Sequence, residues 1–233
     1  MATKQSVNDD IQLVSKQRVA DYGEVYTSQR EVNAMLDLVK QETDRIESRF
    51  LEPACGTGNF LIEVLARKLA KVASRYSKSR AMEHRIEYER YSISAISSLY
   101  GIDILQDNVL ECRGRLFNYY SNQYIDLFGL FSDDDLPNTL KFILERNIVW
   151  GDALTLQTVG DNPKPIVFSE WSLIQGGMVK RRDFSFFELL YQSENNSMPL
   201  FSDTGDDVFI PEPEKEYPLT HYLKLYEAGS SDI

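Results

Sequence analysis

Apolar residues along the first two-thirds of the chain alternate between helical spacing and short unbroken runs. From Gln29 to Glu42, Val32, Met35, Leu36 and Val39 fall on one helical face. The run from Ile46 to Leu51 reads as a short strand. A long helix follows, with Phe60, Leu61, Val64, Leu65, Leu69 and Val72 along one stripe. A second apolar run ends in Gly101-Ile102-Asp103-Ile104 and leads into an amphipathic helix from Asp107 to Phe128. After a helix near Leu136 to Leu144 comes a third run, Asn147-Ile148-Val149-Trp150-Gly151-Asp152. Strands separated by helices predict an α/β domain with a mostly parallel central sheet. At least three parallel strands are expected, near residues 46–52, 98–104 and 146–151.

Beyond residue 155 the alternation stops. Ile166-Val167-Phe168 is a further apolar run, and Gly176-Gly177 separates Trp171-Ser172-Leu173-Ile174 from Met178-Val179-Lys180, a hairpin signal. From Pro199 to Ile233 acids outnumber bases, and prolines at 211, 213 and 218 oppose a central strand or a continuous helix. Leu200, Phe201, Val208, Phe209, Ile210 and Tyr217 give that segment enough apolar surface to dock on the body or on a partner. Three regions are therefore expected: a flexible or weakly helical segment 1–17, a domain over 18–198, and an acidic, irregular docking segment over 199–233.

Candidate chemistry sits where the first strand meets the long helix, in Glu52-Pro53-Ala54-Cys55-Gly56-Thr57-Gly58-Asn59-Phe60. Two glycines one residue apart let the backbone bend sharply and approach a ligand, which a β-carbon would prevent. The amides at the start of the following helix then face that ligand. The second and third apolar runs each carry an acid at their end, Asp103 and Asp152. A carboxylate accepts several hydrogen bonds and makes them strong. As alternatives, the glycines shape an ordinary tight turn, Asp103 and Asp152 cap helices, and Cys55 is a small buried filler.

Glu52-Pro53-Ala54-Cys55-Gly56-Thr57-Gly58 resembles the first motif of S-adenosylmethionine-dependent DNA adenine-N6 methyltransferases, Asp/Glu-Pro-x-x-Gly-x-Gly. Upstream, Asp21-Tyr22-Gly23-Glu24-Val25-Tyr26-Thr27-Ser28 is similar to the Gly-x-Phe/Tyr-Thr-Pro signature of the members that read cofactor motifs first, with Ser28 in place of the proline. The resemblance implies a Rossmann-like methyltransferase fold, whole or incomplete, over roughly residues 18–155. It also implies S-adenosylmethionine as cofactor. Tyr22, Thr27, Glu52, Pro53, Ala54, Gly56, Gly58, Asn59, Phe60, Asp103, Ile104, Asp152 and Ala153 are the residues it implies for the cofactor. Asp103 would receive the ribose hydroxyls and Asp152 the adenine amino group.

The family's catalytic motif, Asn/Asp/Ser-Pro-Pro-Tyr/Phe, is missing. In the family its side-chain oxygen and first proline carbonyl accept from the target adenine amine, while the ring stacks on the flipped base. Asp161-Asn162-Pro163-Lys164-Pro165 has a lysine between its prolines and precedes its apolar run. Ser169-Glu170-Trp171 follows that run and offers a polar acceptor and a ring, although a tryptophan is more often a packing anchor. Two functions follow. One is DNA adenine-N6 methylation in a restriction-modification or defence system. The other is a cofactor-binding but non-catalytic or partial subunit that needs a partner chain, as a homo- or hetero-oligomer. An enzyme acting on RNA or a small substrate through Ser169, Glu170 and Trp171 is a third.

Charge refines the choice. With 25 basic and 36 acidic residues the chain carries a formal net charge of −11, which disfavours unaided binding to duplex DNA. Arg67 to Arg90 nevertheless holds eight basic residues against three acids, and Lys180-Arg181-Arg182 forms a second basic cluster; both also read as solvated surface. The short stretch beyond Leu154 and this acidity both point to help from a partner in reaching DNA. Apolar content of 42% supports a sizeable core. Two distant cysteines and two distant histidines provide neither a disulfide framework nor a zinc-like spacing. With a polar N-terminus and no spanning stretch, a cytoplasmic protein without membrane contact is expected.

Overall fold

The computed structural model describes residues 27–76, 82–195 and 212–228, with backbone alone for 191–195. Ser28 opens the first helix, α1 (Gln29–Leu38), through a capping box in which its hydroxyl accepts from the Glu31 amide and the Glu31 carboxylate accepts from its own. The helix expected to reach Glu42 breaks at Val39, and a single further turn follows, α2 (Lys40–Thr43).

Strand β1 is short (Phe50–Glu52), although the apolar run begins at Ile46. The reason lies on α3 (Asn59–Tyr76), where the fully buried Lys68 donates to the carbonyls of Ile46 (2.9 Å) and Ser48 and to the Ser98 hydroxyl (2.6 Å). These carbonyls face an ammonium instead of a neighbouring strand. Burial lowers the Lys68 pKa to about 7.

The next helix, α4 (Met82–Ser97), has no counterpart in the sequence reading. Its buried face is partly polar, with Tyr88, Glu89, Ser92 and Ser97 beside Ile93 and Ile96. Glu89 is satisfied there by Arg85 and by the hydroxyls of Tyr124 (2.7 Å) and Tyr222 (2.8 Å). Strand β2 (Leu99–Asp103), helices α5 (Gln106–Phe128) and α6 (Asp135–Asn147), and strand β3 (Ile148–Asp152) complete the expected alternation.

In the first sheet β2 lies between β1 and β3 and pairs with both in parallel. A two-residue strand, β4 (Gln157–Thr158), adds antiparallel to β3. Among the described residues no strand pairs with the outer edge of β1, and Leu51 there is 41% exposed. Side chains of β2 alternate between faces. Leu99 joins the large core of α1, α3, α4, α5 and α6, whereas Tyr100 and Ile102 pack with Ile166, Phe168 and Phe186.

The expected hairpin is present and longer than its signal. Strand β5 (Val167–Leu173) pairs antiparallel with β6 (Met178–Ser185), merging the Ile166–Phe168 run with the Trp171–Ile174 strand. Helix α7 (Phe186–Asn195) follows. Strands β7 (Lys215–Glu216) and β8 (Thr220–His221) both add to β6, and Tyr217, Tyr222 and Leu225 are buried. Residues 212–228 thus dock on the body. Tyr22, residues 1–17, and 199–211 of the docking segment lie outside the described residues. Among the described residues no helix is long and apolar enough to cross a membrane.

Candidate functional site

Each of the three parallel strands ends on an acid: Glu52 on β1, Asp103 on β2, Asp152 on β3. Parallel pairing puts all three at one end of the sheet, the carboxyl end, where open α/β sheets take their ligands. The glycine turn leads from this end into the N-terminus of α3.

The turn is held from several sides. Asp103, 8% exposed, accepts from the Gly56 amide (2.8 Å) through Oδ2, and from the Leu105 amide (2.9 Å) and the Asn108 amide group (3.2 Å) through Oδ1. Gly56 and Gly58 both have positive φ, at 51° and 85°. They differ in what a side chain would meet. A β-carbon on Gly58 would lie 2.6 Å from the Cys112 sulfur, whereas one on Gly56 would meet nothing within 4 Å. Gly58 is therefore a packing glycine, and Gly56 presents bare backbone to open space. Beneath them Cys55 and Cys112 are both buried, and the neighbouring thiol together with burial pushes the Cys55 thiol up.

Glu52 is the electrostatic exception. Its Oε2 is buried and has no hydrogen-bond partner among the described residues. Burial, reinforced by the Asp103 charge, raises its pKa to about 8, so the carboxyl keeps its proton near neutrality. An orphaned buried carboxyl beside an uncovered glycine fits a ligand that brings a cation and hydrogen-bond donors.

Residues 32–134 match a family model described as RMKL-like, methyltransferase domain. The match supports a methyltransferase domain, for which S-adenosylmethionine is the methyl donor. It spans β1, the glycine turn, β2 and α5, and stops before β3. No curated protein and no solved structure matches the chain.

Around the glycine turn the other residues implied by resemblance are arranged as follows. Pro53 and Ala54 are exposed, and Phe60 packs on the core. Asn59 donates to the Thr27 carbonyl (3.5 Å), which brings the entry to α1 against the turn. Ile104 is 48% exposed, and its carbonyl accepts from the Trp150 indole (2.9 Å), which ties the loop after β2 to β3. Asp152 accepts from the Leu154 amide (2.8 Å), with Ala153 half-buried beside it. Arg115, which carries no sequence signal, reaches the turn from α5 and donates to Thr57 and Asn59.

Ser169, Glu170 and Trp171 lie in β5, and their contacts are with Tyr100, Arg49 and Asn147 at the starts of the parallel strands rather than at their acidic ends. The Ser169 carbonyl accepts from the Tyr100 hydroxyl (3.1 Å). The Ser169 hydroxyl donates to Asp183 (2.6 Å), which also binds Arg181 (2.7 Å) and the Tyr217 hydroxyl (2.9 Å). Glu170 is ion-paired with Arg49 and Arg182. The Trp171 indole donates to Asn147 (3.1 Å), and its ring packs edge-on against Phe142. The Ser169 side chain is engaged within the hairpin, and those of Glu170 and Trp171 hold the hairpin to the body.

Among the described residues both basic clusters are largely neutralised, Lys78 and Arg80 of the first lying outside them. Arg67 pairs with Asp37, Lys71 with Asp44, Arg85 with Glu89 and Arg90 with Glu87, whereas Arg75 is exposed. Lys180 pairs with Glu216, Arg181 with Asp183 and Arg182 with Glu170. Arg181 is buried, which revises the expectation of a solubilising edge: alternate residues of β6 point inward, and the cation goes with them.

Proposed function

We propose that this chain is the donor-binding part of an S-adenosylmethionine-dependent DNA adenine-N6 methyltransferase, of the restriction-modification or defence type, and that it methylates DNA only together with further polypeptide. The observation that carries the donor assignment is the placement of Glu52, Asp103 and Asp152 at one end of the sheet, where the chain bends through a turn whose Gly56 has no neighbour where a side chain would stand. S-adenosylmethionine supplies a methyl group already activated on a sulfonium, so the protein has mainly to bind, orient and exclude water. Gly56 would give the backbone approach, and Gly58 the close packing on Cys112 that lets the turn bend. Glu52 would give a buried carboxyl that becomes an anion beside a cationic ligand. Asp103 would offer its remaining lone pair to the ribose hydroxyls, and Asp152 would accept from the adenine, with Thr27, Asn59, Ile104 and Ala153 nearby.

Three observations support the need for further polypeptide. Ser169, Glu170 and Trp171 are occupied in scaffold contacts. The outer edge of β1, next to the turn, has no partner strand among the described residues. Most of the described cations of the two basic clusters are paired with acids, which leaves little free charge among the described residues to meet phosphates. The adenine acceptor rests on the sequence motifs alone.

Calorimetric titration with S-adenosylmethionine tests the donor site. Wild-type protein is expected to bind, and Gly56→Ala to fold but lose binding, because its new methyl group projects into the open space above the turn. No heat with wild type, or equal affinity for both proteins, would overturn the assignment. Transfer of labelled methyl groups to mixed-sequence DNA by the chain alone would overturn the need for further polypeptide, and transfer to RNA instead of DNA would overturn the acceptor.

A further inference from the structure

Arg115 stands three residues beyond Cys112 on α5 and reaches back to the glycine turn from the neighbouring helix. Its Nη1 lies 2.8 Å from the Thr57 carbonyl oxygen, 2.8 Å from the Thr57 hydroxyl and 2.8 Å from the Asn59 side-chain oxygen. That nitrogen carries two protons, so three acceptors share two N–H groups, and few arrangements of the turn allow it. All three acceptors are neutral. A guanidinium directed at neutral groups gives up the stronger bonds it would make to a carboxylate, and what it secures here is geometry.

The position is informative as well. Thr57 is 2% exposed and lies between the two positive-φ glycines, and Asn59 is the first residue of α3. Asp103 holds the same turn at Gly56. The bend is pinned on one flank by an acid from β2 and on the other by a base from α5, with its outer face at Gly56 left clear. We infer that Arg115 is a positioning residue for the methyl donor, acting through Thr57 and Asn59 to keep the turn in its binding shape before the ligand arrives. This rests on the donor site proposed above. A turn that is already ordered loses less conformational freedom on binding, and affinity rises accordingly.

The test compares wild type, Arg115→Met, Arg115→Lys and Asn59→Ala by calorimetric titration with S-adenosylmethionine, alongside thermal unfolding of each protein without ligand. Arg115→Met is expected to bind about ten- to a hundredfold more weakly, with the loss in the entropic component. Arg115→Lys, which keeps one donor near the same place, is expected to fall between the two. Combining Asn59→Ala with Arg115→Met should weaken binding by less than the product of the separate effects, because both act on one contact. If Arg115→Met does not fold, Arg115→Lys and the Asn59 variant carry the comparison. Affinities equal to wild type in folded variants, with only the melting temperature lowered, would make Arg115 a structural residue and overturn the inference. Failure of wild type to bind would instead refute the donor site itself.

Discussion

Replacing Glu52 by Gln gives a direct measure of the strain built into the acidic end of the sheet. The carboxyl loses water on folding and gains no hydrogen bond at Oε2, and the neighbouring Asp103 opposes its ionisation. Its pKa moves from 4.5 to about 8. Because the folded value lies above the unfolded one, the neutral carboxyl supports the fold fully below about pH 4.5, and that support drains away as the pH climbs toward 8. At pH 7 the unfolded chain gains about 3 kcal/mol from ionising a glutamate that the folded chain keeps protonated. Glutamine, of the same shape but unable to ionise, removes this pH-dependent penalty. Glu52→Gln should therefore melt higher than wild type at pH 7 by as much as 6 to 12 °C, roughly 2–4 °C per kcal/mol for a chain of this size. Near pH 4.5 the two proteins should melt alike. Differential scanning calorimetry across this range is the assay. The same variant should bind S-adenosylmethionine more weakly, since it cannot become the counter-charge of a cation, and wild-type binding at pH 7 should release protons measurable from titrations in buffers of different ionisation enthalpy. A melting difference that does not change with pH would refute the reasoning, because it would mean the carboxyl is already ionised in the folded protein.

Three further outcomes are expected. Lys68→Met should destabilise the fold by about 2–4 kcal/mol, since two carbonyls and a hydroxyl lose their donor. Because the Lys68 pKa is lowered from 10.5 to about 7, wild-type stability rises with pH between those values, and the deficit of Lys68→Met in urea denaturation should widen from pH 7 to pH 9. Gly58→Ala should cost about 2 kcal/mol or more through its positive φ and its overlap with Cys112; adding Cys112→Ala should recover the overlap and leave about 1 kcal/mol of backbone cost, as read by denaturant midpoints. Asp183→Asn should destabilise by about 3–5 kcal/mol by removing the buried carboxylate that pairs with Arg181 and accepts from Ser169 and Tyr217, yet leave S-adenosylmethionine affinity of the folded protein unchanged in calorimetry.

The acidic end of the sheet was legible because its pattern is local. An apolar run followed by an acid marks the carboxyl end of a buried strand, and Glu52, Asp103 and Asp152 each stand at such a point. The bend at Gly56 and Gly58 was legible for the same reason. Helix α4 was not, because Tyr88, Glu89 and Ser92 face inward and blur the apolar stripe that identifies a surface helix. Lys68 looked like one more cation on a basic helix face; only the fold brings Ile46, Ser48 and Ser98 around it. Arg181 read as solvated charge until the pleat of β6 turned it inward beside Asp183. Arg115 gave no signal, since its contacts with Thr57 and Asn59 span more than fifty residues.

Two sulfhydryls sealed under the bend report on it. Cys55 and Cys112 are both shut away from solvent, so an alkylating reagent reaches them only through opening of the fold around them. Whatever clamps the loop from above must slow their labelling, and the pace of that reaction registers occupancy without any turnover being needed.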